Sequence, residues 1–137
     1  MRIIGGTLKG KAILPPRGYK ARPTTDFARE GLFNVLDNVY DFEGLKVLDL
    51  FGGTGAIAFE FASRGASRVW CVEMARENAS FIKTEAARLG LGYDLNAATT
   101  EPDGAGIKLT LPLDGGFALV KTITADGSRF TVRVIQP

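Results

Sequence analysis

The residues best suited to chemistry form a glycine-rich stretch between two acids. Asp49 opens the run Asp49-Leu50-Phe51-Gly52-Gly53-Thr54-Gly55-Ala56, and Glu73 lies 18 residues beyond Gly55. Glycines at 53 and 55 let the backbone turn sharply into a helix whose free N–H groups favour a carboxylate or phosphate. An acid placed like Glu73 suits the two hydroxyls of a ribose. The spacing therefore predicts a site for an adenosine-containing cofactor, with a purely structural tight turn as the alternative.

Composition excludes several other kinds of site. No Gly-Lys-Ser/Thr follows the glycines, which excludes a Walker phosphate loop. The 137 residues include no histidine, so histidine-based catalysis is excluded. The single cysteine, Cys71, can form neither an intramolecular disulfide nor a cysteine metal cluster. We therefore predict no metal site.

The elements that must position the glycine-rich stretch follow from hydrophobic patterning. Short apolar runs predict strands over 46–51 and 67–74, and helical spacing predicts helices over 56–64 and 77–89, closed by Gly65 and Gly90. A further helix is predicted over 26–39, with cap oxygens from residues 24–26. A strand, helix, strand, helix unit predicts an α/β fold, namely a Rossmann-like half of a doubly wound parallel sheet.

The pattern changes after Gly90. Residues 91–106 are rich in turn formers and predict a linker, whereas strict alternation over 107–113 and further runs over 117–124 and 130–135 predict an antiparallel β meander. We expect these strands to fill the open edge of the parallel sheet, giving one domain over residues 1–137. Pairing of the strands between chains would instead give a homodimer, so the expectation is a monomer or a β-mediated homodimer.

The basic charge is concentrated at one end of the chain. Residues 1–24 read as an irregular arm, and residues 1–22 hold six basic side chains and no acid. Such an arm suits a polyanion such as RNA, and a solubilising segment is the alternative. The predicted RNA-binding residues are Arg2, Lys9, Lys11, Arg17, Lys20 and Arg22. No signal peptide or membrane span is recognisable, which predicts a cytoplasmic protein without a membrane partner.

Two groups of residues resemble the motifs of a known protein family. The run from Asp49 to Gly55 with Val72-Glu73 resembles the cofactor motifs of class I S-adenosylmethionine-dependent methyltransferases. The second group consists of the run Arg22-Pro23-Thr24-Thr25-Asp26, Arg29-Glu30, Leu32-Phe33-Asn34 and the opening Met1-Arg2-Ile3-Ile4-Gly5-Gly6. This group is similar to the bacterial enzymes that methylate the exocyclic amine of a guanine in small-subunit rRNA. The resemblance covers residues 1 to about 90.

The resemblance implies a cofactor, a substrate and site residues. It implies S-adenosylmethionine, with Asp49, Gly53 and Gly55 on the methionine side and Glu73 on the ribose. It also places residues 22–26 over the cofactor and towards the RNA. The cofactor-binding residues that we carry over are Asp49, Phe51, Gly52, Gly53, Thr54, Gly55, Glu73, Met74 and Thr24.

One motif of the resembled family is missing. Those enzymes use an Asp/Asn-Pro-Pro-Tyr/Phe loop, whose oxygens accept hydrogen bonds from the guanine amine and whose ring stacks on the flipped base. Here Pro15-Pro16 lies between Leu14 and Arg17, so it lacks both the acceptor and the ring. The catalytic residues are therefore unknown. One interpretation is a truncated or chimeric methyltransferase that is inactive. A second is an atypical enzyme in which the meander contacts the substrate. The alternative to both is a non-catalytic RNA-binding or structural module.

Overall fold

Two compact units make up the chain, Met1–Ala97 and Ala98–Pro137. The computed structural model describes residues 1–19, 22–91, 95–97, 99–103, 106–112, 118–126 and 129–135. Within these residues the first unit carries three helices and a parallel sheet, and the second carries an antiparallel sheet. The sequence predicted a single domain over residues 1–137.

Helix α1 spans Asp26–Asp37 and opens the first unit after an irregular N-terminal segment. Thr25 caps it, because the threonine hydroxyl accepts a hydrogen bond from the Ala28 N–H at 3.1 Å. The helix ends two residues before the predicted boundary at 39, since the Val39 N–H turns back to the carbonyl oxygen of Leu36 at 3.0 Å. The predicted helix and the position of its cap are therefore confirmed, with a shorter C-terminal end.

The parallel sheet and its crossover helices confirm the predicted α/β class. Strands β1 (Lys46–Asp49), β2 (Arg68–Cys71) and β3 (Leu95–Ala97) lie in the order β1-β2-β3, connected by α2 (Ala56–Ser63) and α3 (Arg76–Arg88). The helices end near glycines with left-handed backbone, at φ 101° for Gly65 and 75° for Gly90. A buried cluster joins the sheet to both crossover helices; it includes Val69, Cys71, Phe59, Ala62, Ile82 and Ala86.

The second unit is a four-stranded antiparallel sheet. Its strands are β4 (Thr99–Asp103), β5 (Gly106–Pro112), β6 (Ala118–Asp126) and β7 (Arg129–Ile135), paired in that order. Within the described residues these strands form a sheet of their own, whereas the sequence analysis expected them to fill the edge of the parallel sheet. Residues 113–117 and 127–128, between these strands, lie outside the described residues.

The stretch predicted as a linker, residues 91–106, contains β3 and all of β4. Strand β3 is three residues long and is held by parallel pairing with β2, and β4 is held by antiparallel pairing with β5. A strand this short is too brief to show alternation, and its stability comes from partners that are distant in sequence. The linker prediction is therefore corrected over these residues.

Candidate functional site

The glycine loop, residues 50–55, turns the chain from β1 into α2. Gly53 and Gly55 have φ of 56° and 78°, a left-handed conformation that side chains disfavour, and Gly55 is the N-cap of α2. The Gly55 N–H donates to the carbonyl oxygen of Gly52 at 2.7 Å, which closes the turn. The sharp turn that the sequence predicted between strand and helix is therefore confirmed.

Packing also requires glycine in this loop. A Cβ atom on Gly52 would lie 2.4 Å from the Cys71 sulfur, and one on Gly55 would lie 2.9 Å from the ring of Phe59. Both distances are shorter than any ordinary contact, so a larger residue at either position would have to displace its neighbours. Gly52 and Gly55 consequently bring the loop into direct contact with β2 and α2 whether or not a ligand is present.

Glu73 lies just beyond the end of β2 and braces the glycine loop. One of its carboxylate oxygens accepts the Gly53 N–H at 2.8 Å, and the other accepts the Ala75 N–H at 2.8 Å. A carboxylate has about four acceptor positions, so each oxygen can take a further donor. The structure thus brings Glu73 to the loop, as its spacing from Gly55 predicted, with capacity left for hydroxyl groups of a ligand.

Asp49 adds a second acid at the same edge of the sheet. Its carboxylate accepts the Phe51 N–H at 3.2 Å. Burial raises the pKa of Asp49, the hydrogen bond from Phe51 lowers it, and the nearby Glu73 raises it further. Within the described residues no cation pairs with either carboxylate, so this edge of the sheet favours a positively charged ligand.

Tyr19 contacts the loop from the segment before α1, and the sequence reasoning missed it. Its hydroxyl donates to the Gly53 carbonyl oxygen at 2.6 Å, and its ring lies edge-on to Phe81 of α3, with centroids 5.4 Å apart. Burial, followed by the charges of Glu73 and Cys71, raises the pKa of Tyr19 to about 12. The contact between Tyr19 and Gly53 spans 34 residues, so no local sequence pattern could predict it.

The remaining predicted cofactor residues occupy varied positions. Phe51 and Met74 are exposed at the ends of β1 and β2, whereas Thr54 is buried and its hydroxyl lies 3.7 Å from the Met1 sulfur. Thr24 is exposed, and the contact described for it runs to α1, where its carbonyl oxygen accepts the Arg29 Nε–H at 3.5 Å. The described contacts thus connect Thr24 to α1 and not to the glycine loop.

Residues 1–13, here called the N-terminal loop, form a closed structure. The Ile3 N–H donates to the Lys11 carbonyl oxygen and the Ile13 N–H to that of Met1, both at 2.9 Å. Ile3 and Ile13 are fully buried, while Lys9 and Lys11 are exposed. The first half of the predicted basic arm is therefore an ordered loop that displays its two lysines to solvent.

Glu60 of α2 anchors the N-terminal loop. Its buried carboxylate accepts the N–H groups of Ile4 and Gly5 at 3.0 and 2.8 Å, and pairs with Arg29 at 3.3 Å and Arg64 at 3.0 Å. Arg29 is itself fully buried, contacts Asp26, and donates to the Arg2 carbonyl oxygen at 2.8 Å. The one acid within the apolar helix Ala56–Ser63 was the available sequence signal for this anchor, and it was not used.

The predicted RNA-binding residues differ in their surroundings. Lys9 and Lys11 extend from the N-terminal loop, and Arg17 and Arg22 are exposed in the segment that follows. Arg2 is exposed and lies 3.6 Å from the Asp26 carboxylate, so its charge is partly neutralised. Lys20 lies outside the described residues.

The described residues offer neither a cluster of metal-ligating side chains nor a membrane-spanning helix. No group of three or more histidine, cysteine, aspartate or glutamate side chains there is arranged to hold a metal ion. None of the helices described has the length and apolar character needed to cross a bilayer.

Comparison with known proteins places this chain in a family. Residues 1–109 match the family model described as Conserved hypothetical protein 95. The chain is 42% identical over 76 residues to ribosomal RNA small subunit methyltransferase D of Escherichia coli K12, a match that covers 56% of this chain and 37% of that protein. It is 42% identical over 65 residues to YlbH of Bacillus subtilis 168, a candidate rRNA methyltransferase, covering 47% of this chain and 34% of YlbH.

A solved structure agrees with these relatives. The structure of yhhF from Escherichia coli, a candidate methyltransferase, matches with 33% identity and a TM-score of 0.61, covering 71% of this chain and 50% of yhhF. In each comparison the matched part spans half or less of the relative's own length. Because the family model covers residues 1–109, the chain belongs to the Conserved hypothetical protein 95 family, which confirms its resemblance to the bacterial rRNA methyltransferases.

Proposed function

We propose that this chain carries the cofactor-binding half of an S-adenosylmethionine-dependent methyltransferase that acts on a guanine amine of small-subunit rRNA. The observation that carries the proposal is the bond from the Gly53 N–H to Glu73, which joins the glycine loop after β1 to the acid after β2. Relatives whose names specify rRNA methyltransferase support the substrate class. The guanine amine is the part of the proposal that rests on the resemblance alone.

The residues present fit S-adenosylmethionine. The cofactor combines a ribose, which needs acceptors for two hydroxyls, with a sulfonium and an ammonium, which favour negative surroundings. Glu73 retains free acceptor positions, and Asp49 adds a second carboxylate at the same edge of the sheet. Glu73 would hold the ribose and Asp49 the methionine side, and the cofactor, when bound, supplies an activated methyl group.

The N-terminal loop would supply RNA affinity. Lys9 and Lys11 gain binding free energy by releasing counterions from phosphates, and this mode of binding carries little sequence information. Because the loop is anchored through Glu60, the backbone that carries its two lysines is held in place before RNA arrives. Arg17 and Arg22 would extend the same basic surface.

Methyl transfer needs groups that this chain does not carry in a recognisable form. The guanine amine is a weak nucleophile because its lone pair is delocalised into the ring, so it must donate hydrogen bonds to well-placed acceptors. The sequence contains no Asp/Asn-Pro-Pro-Tyr/Phe run to provide them. We therefore propose that the chain by itself binds cofactor and RNA but does not transfer the methyl group.

Calorimetry with S-adenosylhomocysteine tests the cofactor site. We expect binding by the unaltered chain, weaker binding by Glu73→Gln, and no change in Asp37→Asn, an exposed acid at the end of α1 that serves as the matched control. Ligand at 100 times its Kd should also raise the free energy of unfolding by about 2.7 kcal/mol. Absence of both heat and stabilisation would refute the site.

A non-catalytic RNA-binding module is the second candidate, favoured by the exposed lysines of an anchored loop and by the missing motif. It requires RNA affinity that falls steeply with salt and does not depend on the cofactor. A single-turnover assay with methyl-labelled S-adenosylmethionine and rRNA addresses catalysis. Label in the RNA would contradict the proposed inactivity, whereas cofactor binding without label would support it.

A further inference from the structure

Tyr19 connects the segment before α1 to the centre of the candidate cofactor site. Its hydroxyl donates to the carbonyl oxygen of Gly53 at 2.6 Å, although the two residues are 34 positions apart. We propose that Tyr19 is a positioning residue, whose hydroxyl holds the glycine loop in the conformation that binds the cofactor. The inference rests on the proposed function and adds to it a residue that none of the predicted motifs contains.

Hydrogen bonds hold both backbone polar groups of Gly53. Its carbonyl oxygen accepts from Tyr19, and its N–H donates to Glu73 at 2.8 Å. Glycine has the widest conformational freedom of any residue, and Gly53 is in the left-handed region at φ 56°. Two hydrogen bonds from separate elements therefore select one conformation out of many, which lowers the entropy lost when a ligand binds.

The Tyr19 contact also sets the direction of the next amide. No peptide bond among the described residues is cis, so the Gly53 carbonyl and the Thr54 N–H point in opposite directions from the same plane. When the Tyr19 hydroxyl holds the Gly53 carbonyl oxygen, the direction of the Thr54 N–H is fixed as well, pointing away from Tyr19. The tyrosine hydroxyl thus controls a backbone donor of the loop without having to contact a ligand itself.

Tyr19 is supported independently of the loop. Its N–H donates to the Pro16 carbonyl oxygen at 3.2 Å, and its ring packs edge-on against Phe81 of α3 at an interplanar angle of 65°. Residues 16–19 also form one wall of a cavity of about 250 Å³, whose other wall is Ala75, Glu77 and Asn78. The turn over residues 16–19 and helix α3 therefore fix the position of the Tyr19 hydroxyl. The hydroxyl can in this way hold the glycine loop in one conformation.

A purely structural role for the Tyr19 ring makes a different prediction. In that case the contact with Phe81 would matter and the hydroxyl would not. Tyr19→Phe keeps the ring and removes the hydroxyl, whereas Phe81→Leu removes the ring partner and keeps the hydroxyl. The matched control is Tyr40→Phe, which removes the hydroxyl of a tyrosine that is 53% exposed beyond the end of α1.

The test is calorimetric titration of the four full-length proteins with S-adenosylhomocysteine. We expect Tyr19→Phe to bind about threefold to tenfold more weakly than the unaltered chain, the effect of losing one neutral hydrogen bond. Tyr40→Phe should bind as the unaltered chain does, and Phe81→Leu should lose less affinity than Tyr19→Phe. Urea unfolding of each variant establishes that the proteins compared are folded.

Backbone amide spectra give a readout that does not depend on ligand. In ligand-free Tyr19→Phe, the Thr54 amide resonance should shift, because its nitrogen is bonded to the carbonyl carbon that loses the hydrogen bond. Equal affinity of the unaltered chain and Tyr19→Phe, or an unmoved Thr54 resonance, would overturn the inference while leaving the proposed function intact. Absence of binding by the unaltered chain would instead overturn the proposed function, and the inference with it.

Discussion

Asp49 and Cys71 occupy paired positions at the ends of β1 and β2. Burial is the largest influence on both, and it raises the pKa of each group because the charged form loses hydration. For Cys71 the pKa reaches about 12, with Asp49 and Glu73 as the second and third causes. A negative charge at this edge of the sheet is therefore costly to the free protein, which makes the site receptive to a cation.

The raised pKa of Asp49 predicts a pH-dependent effect of Asp49→Asn. A folded-state pKa above the unfolded value means that protonated Asp49 favours the fold, and that this contribution is lost as the pH rises through the folded pKa. The neutral asparagine should therefore raise the free energy of unfolding relative to the unaltered chain at pH 7. The difference should shrink as the pH falls through the raised folded-state pKa and be lost below 3.8, the ordinary pKa of the group.

Urea titrations at a series of pH values measure this difference, with Asp37→Asn at the exposed end of α1 for comparison. A difference that does not vary with pH would contradict the assignment. Because Asp49 is also proposed to face the cofactor, the same variant should bind S-adenosylhomocysteine more weakly. Stability and binding are thus expected to change in opposite directions.

The raised pKa of Cys71 predicts a thiol that is unreactive in the native protein. The thiolate is the reactive form, so a buried thiol with a pKa of about 12 should react with Ellman's reagent at pH 8 far more slowly than the same thiol in denaturant. The chain has one cysteine, so every equivalent of colour reports this position. Equal rates in the native and denatured protein would show that Cys71 is not buried as described.

At the scale of elements, the N-terminal loop depends on close contact with α2. The Thr7 N–H donates to the carbonyl oxygen of Ser63 at 2.8 Å, and the Ser63 hydroxyl donates to that of Gly5 at 2.6 Å. Removing the Glu60 carboxylate would leave the buried Arg29 uncompensated, and breaking a buried ion pair in this way typically costs about 3–5 kcal/mol. The element that presents Lys9 and Lys11 is therefore attached to α2 by several hydrogen bonds.

Two glycines of the N-terminal loop give a matched pair of variants. Both have left-handed backbone, at φ 76° for Gly6 and 83° for Gly10, but a Cβ on Gly6 would lie 1.9 Å from the Ser63 carbonyl oxygen and one on Gly10 meets nothing within 4 Å. Gly10→Ala should therefore cost only the backbone strain, about 1–2 kcal/mol. Gly6→Ala adds overpacking, for a total of about 2–5 kcal/mol.

Urea unfolding measures the two losses, and hydrogen exchange locates them. In Gly6→Ala the Ile4 and Gly5 amides, which donate to Glu60, should lose protection, whereas in Gly10→Ala they should keep it. Equal effects of the two substitutions would mean that the loop does not pack on α2 as described.

For the whole molecule, the distribution of charge matters more than its sum. The net charge is only +2, yet six basic side chains and no acid lie within residues 1–22. Electrostatic binding to RNA depends on such local density and falls with salt as counterions return to the phosphates. The basic surface is therefore expected to dominate encounters with RNA despite the nearly neutral total.

Removing the two lysines of the N-terminal loop tests this expectation. Lys9→Gln with Lys11→Gln should weaken RNA binding and reduce the slope of log affinity against log salt by about 1.4, since each phosphate contact contributes about 0.7 on a single strand. The control is Lys46→Gln with Lys83→Gln, which removes the same charge from exposed positions on β1 and α3. Equal slopes for the two double variants would assign binding to net charge and not to the loop.

Local sequence was sufficient to predict much of the first unit. The glycine loop, its flanking strand and helix, and the placement of Glu73 beside it depend on residues within one strand, helix, strand segment, where spacing restricts geometry. The helix caps at Thr25, Gly65 and Gly90 are likewise local. Strands β5, β6 and β7 of the second unit overlap the runs predicted from alternation, whereas β4 lies in the stretch predicted as a linker.

The sequence by itself determined the α/β class, the glycine loop and the family resemblance, because these depend on periodicity and on motifs of a few residues. Tertiary structure alone decided that Tyr19 supports Gly53, that Glu60 anchors the N-terminal loop, and that β3 completes the parallel sheet. Each of these contacts joins residues more than 20 positions apart, and their stability depends on burial and hydrogen-bond geometry that exist only once the chain is folded.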